Sequence, residues 1–328
     1  MNTSSFRWGL IGPGRIAHRF AQALEAVAGA RLHAVASRSA ERGGEFARQY
    51  GAPVVYDSNE ALARDPDIDA VYIASPHRYH YEQARLCLEA GKPVLCEKPF
   101  TVNAPQAAEL IQLARERRLF LMEALWSRYL PVYRRVRDWL QGGQIGEIEL
   151  LTSTFCFQPE RDPADRKFAH ELAGGALLDL GIYNVSISQW VVGGDPQKVS
   201  AEGVLGDTGV DELTAATLTY PGQIVSQFTC SLLFPAANEF VIYGTRGRVR
   251  LHADFWGATA ATLLAEGKEA TAVLPFRRNG FEYEIEEAMT GIRNGKGESA
   301  DMTLSETLGN MRTMDRIREQ IGLSYSFE

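Results

Sequence analysis

Arg7-Trp8-Gly9-Leu10-Ile11-Gly12-Pro13-Gly14-Arg15-Ile16-Ala17 is the stretch that decides the fold of this chain. Its first five residues read as a buried strand that stops at a glycine turn. Beyond the turn, Ile16, Phe20, Ala23, Leu24 and Val27 recur at helical spacing and make one apolar face. The turn itself spells Gly-x-Gly-x-x-Ala. Gly12 permits the tight bend, Gly14 lets the main chain approach a pyrophosphate, and the small Ala17 lets helix and strand pack closely. The helix start at Arg15 and Ile16 then offers free N–H groups and a partial positive charge to phosphates. A glycine turn alone is weak; between a strand and a helix it reads as a dinucleotide seat.

Further strands follow at Leu32 to Ala36, Pro53 to Tyr56, Ala70 to Ala74, Pro93 to Cys96 and Leu119 to Met122. Helices run from about His80 to Ala90, where Gly91 stops the pattern, and to about Arg118, behind a capping box of Asn103 and Gln106. This alternation predicts a doubly wound parallel sheet covered on both faces. The character changes from about Glu123. Val132, Val136, Trp139 and Leu140 mark a helix ending at Gly142-Gly143, Ile148 to Phe157 is a long strand, and a helix follows Gly174-Gly175 to about Val192. Leu213 to Tyr220 with Ile224 to Ser231, and Phe240 to Tyr243 with Arg248 to Leu251, read as two hairpins in an open, mostly antiparallel sheet. Phe281, Ile285, Met289 and Ile292 share one helix face, and Thr303 with Glu306 caps a last helix. The expectation is an α/β protein of two domains. Residues 1–123 form the parallel-sheet domain, and residues 124–328 form an α/β domain whose last helices can pack back toward the first.

A chain of 328 residues suits two domains. Its apolar content of 45% and charged content of 23% are those of an ordinary globular protein. A net charge of −7 argues against general binding to nucleic acid or anionic membranes. No apolar run approaches the ~18 residues of a membrane span, and Met1 to Phe6 is too short and polar for a signal peptide. Cys87, Cys96, Cys156 and Cys230 are scattered, without Cys-x-x-Cys or histidines at metal spacing. A reducing cytoplasm is predicted, without disulfides or a metal. Asp65 to Asp69 reads as an acidic loop, since no neighbouring histidine joins it.

The second strand decides which dinucleotide fits. An NAD site ends that strand with an acid for the ribose hydroxyls. Here it ends Ala36-Ser37-Arg38-Ser39. Arg38, with Arg42 one turn on, suits a 2′-phosphate, and Ser37 and Ser39 add hydroxyls, so NADP is predicted. A solvated surface arginine is the plainer alternative.

Glu97-Lys98-Pro99 stands at the expected carboxyl end of a buried strand, where open parallel sheets bind ligands. Lys98 there can pin the nicotinamide ribose and favour ionisation of a neighbouring acid; otherwise it is a surface lysine lying over apolar neighbours. Asp179 and Tyr183 lie one turn apart on a helix face. A free tyrosine titrates near pH ~10, too high for a good base at neutrality. A nearby ammonium and oxidised nicotinamide would favour the phenolate. Tyr183 then takes a hydroxyl proton while hydride leaves, and Asp179 accepts a hydrogen bond from a second hydroxyl. Alone, the pair would read as an ordinary helix surface.

The glycine turn, Ser75-Pro76 with His80 beyond it, Glu97-Lys98-Pro99 and Asp179-xxx-Tyr183 together resemble the glucose–fructose oxidoreductase / inositol dehydrogenase (Gfo/Idh/MocA) family. The resemblance covers essentially the whole chain. Met122 to Arg128 and Gly174 to Tyr183 look most like the branch of dimeric dihydrodiol dehydrogenases and NADP-dependent D-xylose dehydrogenases, where many other members carry histidine in place of Tyr183. The resemblance implies a Rossmann domain and an open-faced α/β domain, Lys98 and Tyr183 as catalytic residues, Asp179 near the substrate, and dimers built through the second domain's sheet.

His77 and His80 at a strand end are candidates for the cofactor site, as are Ser75, Pro76, Glu97, Trp126 and Arg128. Phe157, Trp256 and Phe276 are candidates for an aromatic substrate wall, with sheet or dimer core as the alternative. Arg128 can bind phosphate or pair with a carboxylate. The reaction class expected is hydride transfer between NADP and an aldose, with oxidation at its anomeric carbon, or a trans-dihydrodiol. Keto-sugar reduction or a glucose–fructose oxidoreductase-like reaction is the enzymatic alternative, and a non-catalytic NADP-sensing regulator the other.

Overall fold

A computed structural model, which describes residues 5–328, divides the chain into two compact units. The first comprises the residues through Thr101, Pro105–Trp126 and Arg277–Leu304; the second comprises Val102–Ala104, Ser127–Phe276 and Ser305–Glu328.

In the first unit, strand–helix alternation runs as the sequence pattern predicts. It comprises β1 (Phe6–Ile11), α1 (Arg15–Leu24), β2 (Ala30–Ala36), α2 (Ala40–Tyr50), β3 (Val54–Tyr56), α3 (Asn59–Arg64), β4 (Ala70–Ile73), α4 (His80–Glu89), β5 (Val94–Glu97), α5 (Ala104–Arg117) and β6 (Leu121–Ala124). The strands are parallel and lie in the order β3-β2-β1-β4-β5-β6, the doubly wound arrangement of a Rossmann domain. Aromatic packing locks α1 to the sheet. Phe20 meets Trp8 of β1 edge-on at 5.3 Å and stacks on Tyr72 of β4 at 3.8 Å. The sequence reading passed over α2 and α3. Both begin at a serine cap, Ser39 accepting from the Arg42 amide and Ser58 from the Ala61 amide. They bury few apolar side chains, so their periodicity is faint.

In the second unit, α6 (Pro131–Gln141), β7 (Ile148–Cys156), α7 (Ile182–Val192), β8 (Lys198–Leu205), β9 (Asp211–Thr219), β10 (Val225–Ser231), β11 (Phe240–Gly244), β12 (Gly247–Leu251), β13 (Ala260–Ala265) and β14 (Lys268–Val273) follow in order. The eight strands form one sheet, β14-β13-β12-β11-β7-β10-β9-β8. Only the β7–β10 pair is parallel; both expected hairpins, β9–β10 and β11–β12, are antiparallel. The sheet is therefore mixed but mostly antiparallel. Strands β8, β13 and β14 had gone unread; β14, nearly all exposed, shows no apolar alternation to read. Helix α8 (Glu282–Arg293) belongs to the first unit and α9 (Leu304–Ile321) almost wholly to the second.

Helix α7 is fixed on the sheet by polar contacts. Asn184 Nδ2 donates to Ser153 Oγ at 2.8 Å, and the Ser188 and Ser226 hydroxyls meet at 2.8 Å. On β10, Ser226, Phe228 and Cys230 are buried, while Val225, Gln227 and Thr229 alternate to a more open face.

Candidate active site

Gly12 ends β1 in the left-handed region, at φ +83°. A Cβ there would come within 2.9 Å of the Ser75 amide nitrogen, so the turn accepts only glycine. Gly14 caps α1 without a side-chain hydrogen bond, and a Cβ on it would meet nothing within 4 Å. Open space thus lies at a helix start, where the first-turn amides of α1 have no partner within the helix, the setting that holds a phosphate. A cleft of about 770 Å³ opens here, lined among others by Gly12, Gly14, Ser37, Arg38, Ser75 and Pro76. The side chains of Arg15 and Ile16 belong to α1; their amides are what this geometry offers.

The loop after β2 is wound tightly. Ser37 Oγ accepts from the Ser39 amide at 3.2 Å, and Ser39 Oγ from the Arg42 amide at 3.3 Å. The serines therefore shape the loop, while exposed Arg38 and Arg42 both line the cleft. The Arg38 guanidinium lies 5.7 Å from the ring of Tyr79, another lining residue. Two cations and no carboxylate at the end of β2 fit a phosphorylated ribose.

Lys98 is half-buried at the carboxyl end of β5, and its bond to Pro99 is cis. Glu97 turns inward. Its Oε1 accepts from the Tyr72 hydroxyl at 2.5 Å and its Oε2 from the Lys98 amide at 3.2 Å. Glu97 therefore holds the strand end. Glu284 of α8, which sequence reasoning missed, is wholly buried with no hydrogen-bond partner for either oxygen. Burial, then the charge of Glu97, pushes its carboxyl well above the usual range, with Arg19 opposing. Tyr72 is pushed up likewise by burial and by both glutamates.

His80 sits behind the cleft, wholly buried. Its ring nitrogens lie 2.8 Å from the Pro99 carbonyl and 2.9 Å from the Ser75 carbonyl, tying together the turns after β5 and β4. Trp126 packs against Phe281 at 5.2 Å and under the Arg19 guanidinium at 4.9 Å. Arg128 belongs to the second unit, pairs with Glu306 at 2.8 Å and lies 5.7 Å from the Trp190 ring. His80 and Arg128 are both buried, and their side chains make these internal contacts. The premise about the acidic loop is corrected. His33 does join it, with Nε2 3.4 Å from Asp65 Oδ2, and His33, Asp65 and Asp67 place donor atoms within 4.8 Å of one another. Arg7 pairs with Asp67 and Asp69, and Lys92 donates to the Asp65 carbonyl, so the loop's charges are already opposed by cations.

In the second unit, the helix expected after Gly174-Gly175 opens as a π-helical turn, Leu177–Gly181, before α7 begins. Such turns recur at functional sites. This one carries Asp179, and α7 carries Tyr183; both are nearly buried. Asp179 Oδ1 pairs with Arg166 at 3.1 Å. Arg166 was not singled out from the sequence, where a pair spanning an irregular loop leaves no periodic signal. Phe155, also overlooked, is the centre of the aromatic group. Its ring lies 5.8 Å from Tyr183, 6.4 Å from Phe157 and 3.4 Å from Trp256, parallel to the last. Phe276, just past β14, is half-buried.

Residues 6–125 match the family described as "Oxidoreductase family, NAD-binding Rossmann fold", and residues 133–250 match the GFO/IDH/MocA C-terminal domain. A human protein named trans-1,2-dihydrobenzene-1,2-diol dehydrogenase is 36% identical over 330 residues, covering 98% of each chain. Its namesake from Xenopus tropicalis is 34% identical, covering 97% of this chain and 99% of its own. A 3-ketoreductase from Actinomadura kijaniata, solved with NADP and TDP-benzene, superposes with a TM-score of 0.88 at 30% identity, covering 97% of this chain and 98% of its own. With its nucleotide cradle in a parallel sheet, and with both halves matched, the chain belongs to the GFO/IDH/MocA family of oxidoreductases.

Proposed function

We propose that this chain is an NADP-dependent dehydrogenase or reductase acting on a CH–OH group of a vicinal diol or sugar. The observation that carries it is the placing of Asp179 and Tyr183 on one short helical segment, beside the stacked rings of Phe155 and Trp256. An acceptor, a phenol and aromatic faces suit a small ring bearing adjacent hydroxyls.

The bases of the cofactor site are the backbone at Gly12 and Gly14, with Arg38 and Arg42 for the 2′-phosphate. Once bound, the nicotinamide accepts or donates the hydride. In the oxidative direction the Tyr183 phenol oxygen removes the hydroxyl proton, and the C–H bond gives up its electron pair with the hydride. In reduction Tyr183 returns the proton to the carbonyl oxygen. Lys98 supplies a positive charge that favours phenolate. Asp179, held by Arg166, accepts from the adjoining hydroxyl and orients the reacting carbon. Phe157 and Trp256 offer aromatic surface to the substrate's apolar face.

The dehydrogenase names of the relatives support a cyclic trans-diol as the substrate; an aldose oxidised at its anomeric carbon is the other candidate. Keto-sugar reduction is favoured by the likeness to the 3-ketoreductase. We also propose a homodimer formed through the more open face of the eight-stranded sheet, where Gln227 and Thr229 alternate with buried residues. Sedimentation at a single monomer mass would remove that proposal. Residence in a reducing cytoplasm is supported by four buried, free cysteines, and no helix among the described residues is long and apolar enough to cross a membrane.

The test is a panel of diols, aldoses and keto-sugars followed by reduced-nicotinamide absorbance. Tyr183→Phe is expected to lower kcat by about 10²-fold or more while NADP affinity stays unchanged. Turnover of that variant at the wild-type rate would remove Tyr183 from the reaction.

A further inference from the structure

A carboxylate with no part in the reaction above grips the turn that opens the Asp179–Tyr183 segment. Asp211, first residue of β9, is wholly buried. Its Oδ2 accepts from the Leu177 amide at 2.8 Å and from the Thr214 hydroxyl at 2.7 Å. Its Oδ1 has no hydrogen-bond partner and lies where a Cβ on Gly175 would collide with it. Gly175 stands at φ +120°, and its amide donates to the Lys167 carbonyl at 2.8 Å. The Tyr325 hydroxyl donates to the Gly174 carbonyl at 2.6 Å. Leu177 begins the π-helical turn, two residues before Asp179.

We infer that Asp211 is a positioning residue whose charge state sets how Asp179 and Tyr183 are presented to substrate. The inference rests on the proposed roles of those two residues. An amide at a helix start lacks a partner within the helix, and a carboxylate there satisfies it and meets the positive end of the segment. A charge-assisted bond of this kind is about twice as strong as a neutral one. Protonation of Asp211 leaves Leu177 with the weaker bond and loosens the turn.

The groups around Asp211 make that change accessible near neutrality. Burial pushes its carboxyl up to about 7, against the lowering effect of the Thr214 hydroxyl, the Leu177 amide and Arg318 of α9. The other titratable groups facing it are Tyr325, in the segment after α9, and Cys230 of β10. Burial raises both well above their usual range, so they stay protonated while Asp211 changes charge.

The wild type and two variants of the full chain test this, with the best substrate of the panel. Wild-type kcat is expected to rise about tenfold as pH increases through about 7. Asp211→Asn is expected to stay at the low-pH level, with NADP affinity unchanged. Thr214→Val is expected to move the rise to higher pH, because the lost hydroxyl had favoured the carboxylate. Hydrogen exchange supplies a readout that needs no substrate: in Asp211→Asn, the amides of residues 177–183 exchange faster than wild type above the transition and equally below it. A wild-type pH profile in Asp211→Asn, or no shift in Thr214→Val, overturns the inference. Altered exchange with turnover surviving in Tyr183→Phe would instead remove the proposed function and leave the brace standing.

Discussion

Where β2 ends, Arg38 and Arg42 line the same cleft, and residues 36–39 at the strand's end carry no acid. A hydrogen bond to a charged group contributes ~1.5–3 kcal/mol. Arg38→Ala should therefore lower kcat/KM for NADP roughly 10- to 100-fold and leave the value for NAD little changed; equal losses with both would show that Arg38 reads no 2′-phosphate. These arginines were legible because a strand end and its next helical turn are close in sequence. Arg166 with Asp179, and Asp211 with Leu177, were not, since each pair spans irregular chain or separate elements. Asp211 also carries a stability prediction. Its folded value of about 7 lies above the ordinary 3.8, so the folded state holds the proton more tightly. Its favourable contribution is whole below that ordinary value and is lost as pH rises through the folded one. A shift of this size corresponds to at most about 4 kcal/mol. Denaturant titrations should show Asp211→Asn gaining stability relative to wild type across that window; a constant difference would show that Asp211 does not titrate there.

Two glycine turns start the two helices that matter, and they should fail differently when filled. Gly14 is extended, at φ −98°, with open space where its side chain would be. Gly14→Ala should leave thermal stability unchanged and weaken dinucleotide binding, because the methyl occupies the space of the phosphates. Gly175→Ala puts a methyl into Asp211 at φ +120°, with a cost of about 1–3 kcal/mol for the backbone alone. That variant should melt several degrees lower and bind NADP normally. Gly14→Ala with wild-type affinity, or Gly175→Ala with wild-type melting, would contradict the geometry. The first turn was legible because strand, spacing and helix agree in one short stretch. The second was legible only as a helix start. Its first π-helical amide, that of Leu177, is held by Asp211, which lies far along the chain, and no local spacing announces it. Strand β14 escaped for a related reason: its pairing with β13, rather than any alternation of its own, makes it a strand.

For the molecule as a whole, the order of the chain and the order of its units differ. The periodicity of α8 and α9 is alike, so nothing in either says that α8 joins the first unit while α9 lies almost wholly in the second. The contacts decide it. The Leu121 amide donates to the Gly297 carbonyl at 3.0 Å, Arg19 and Asn279 exchange two hydrogen bonds of 2.8 Å, and the Arg293 guanidinium lies 5.6 Å from the Phe6 ring. A fragment of residues 1–126 should therefore unfold at lower temperature and bind NADP more weakly than one with residues 277–304 joined to it by a flexible linker. Equal melting of the two fragments would show that the returning strip adds nothing. During translation, domains generally fold from the N-terminus as they emerge. Here the ribosome releases the final strip of the first unit only after residues 127–276 have been made. The nascent nucleotide cradle must wait, its Phe6 and Leu121 side uncovered, while about half of the protein is made.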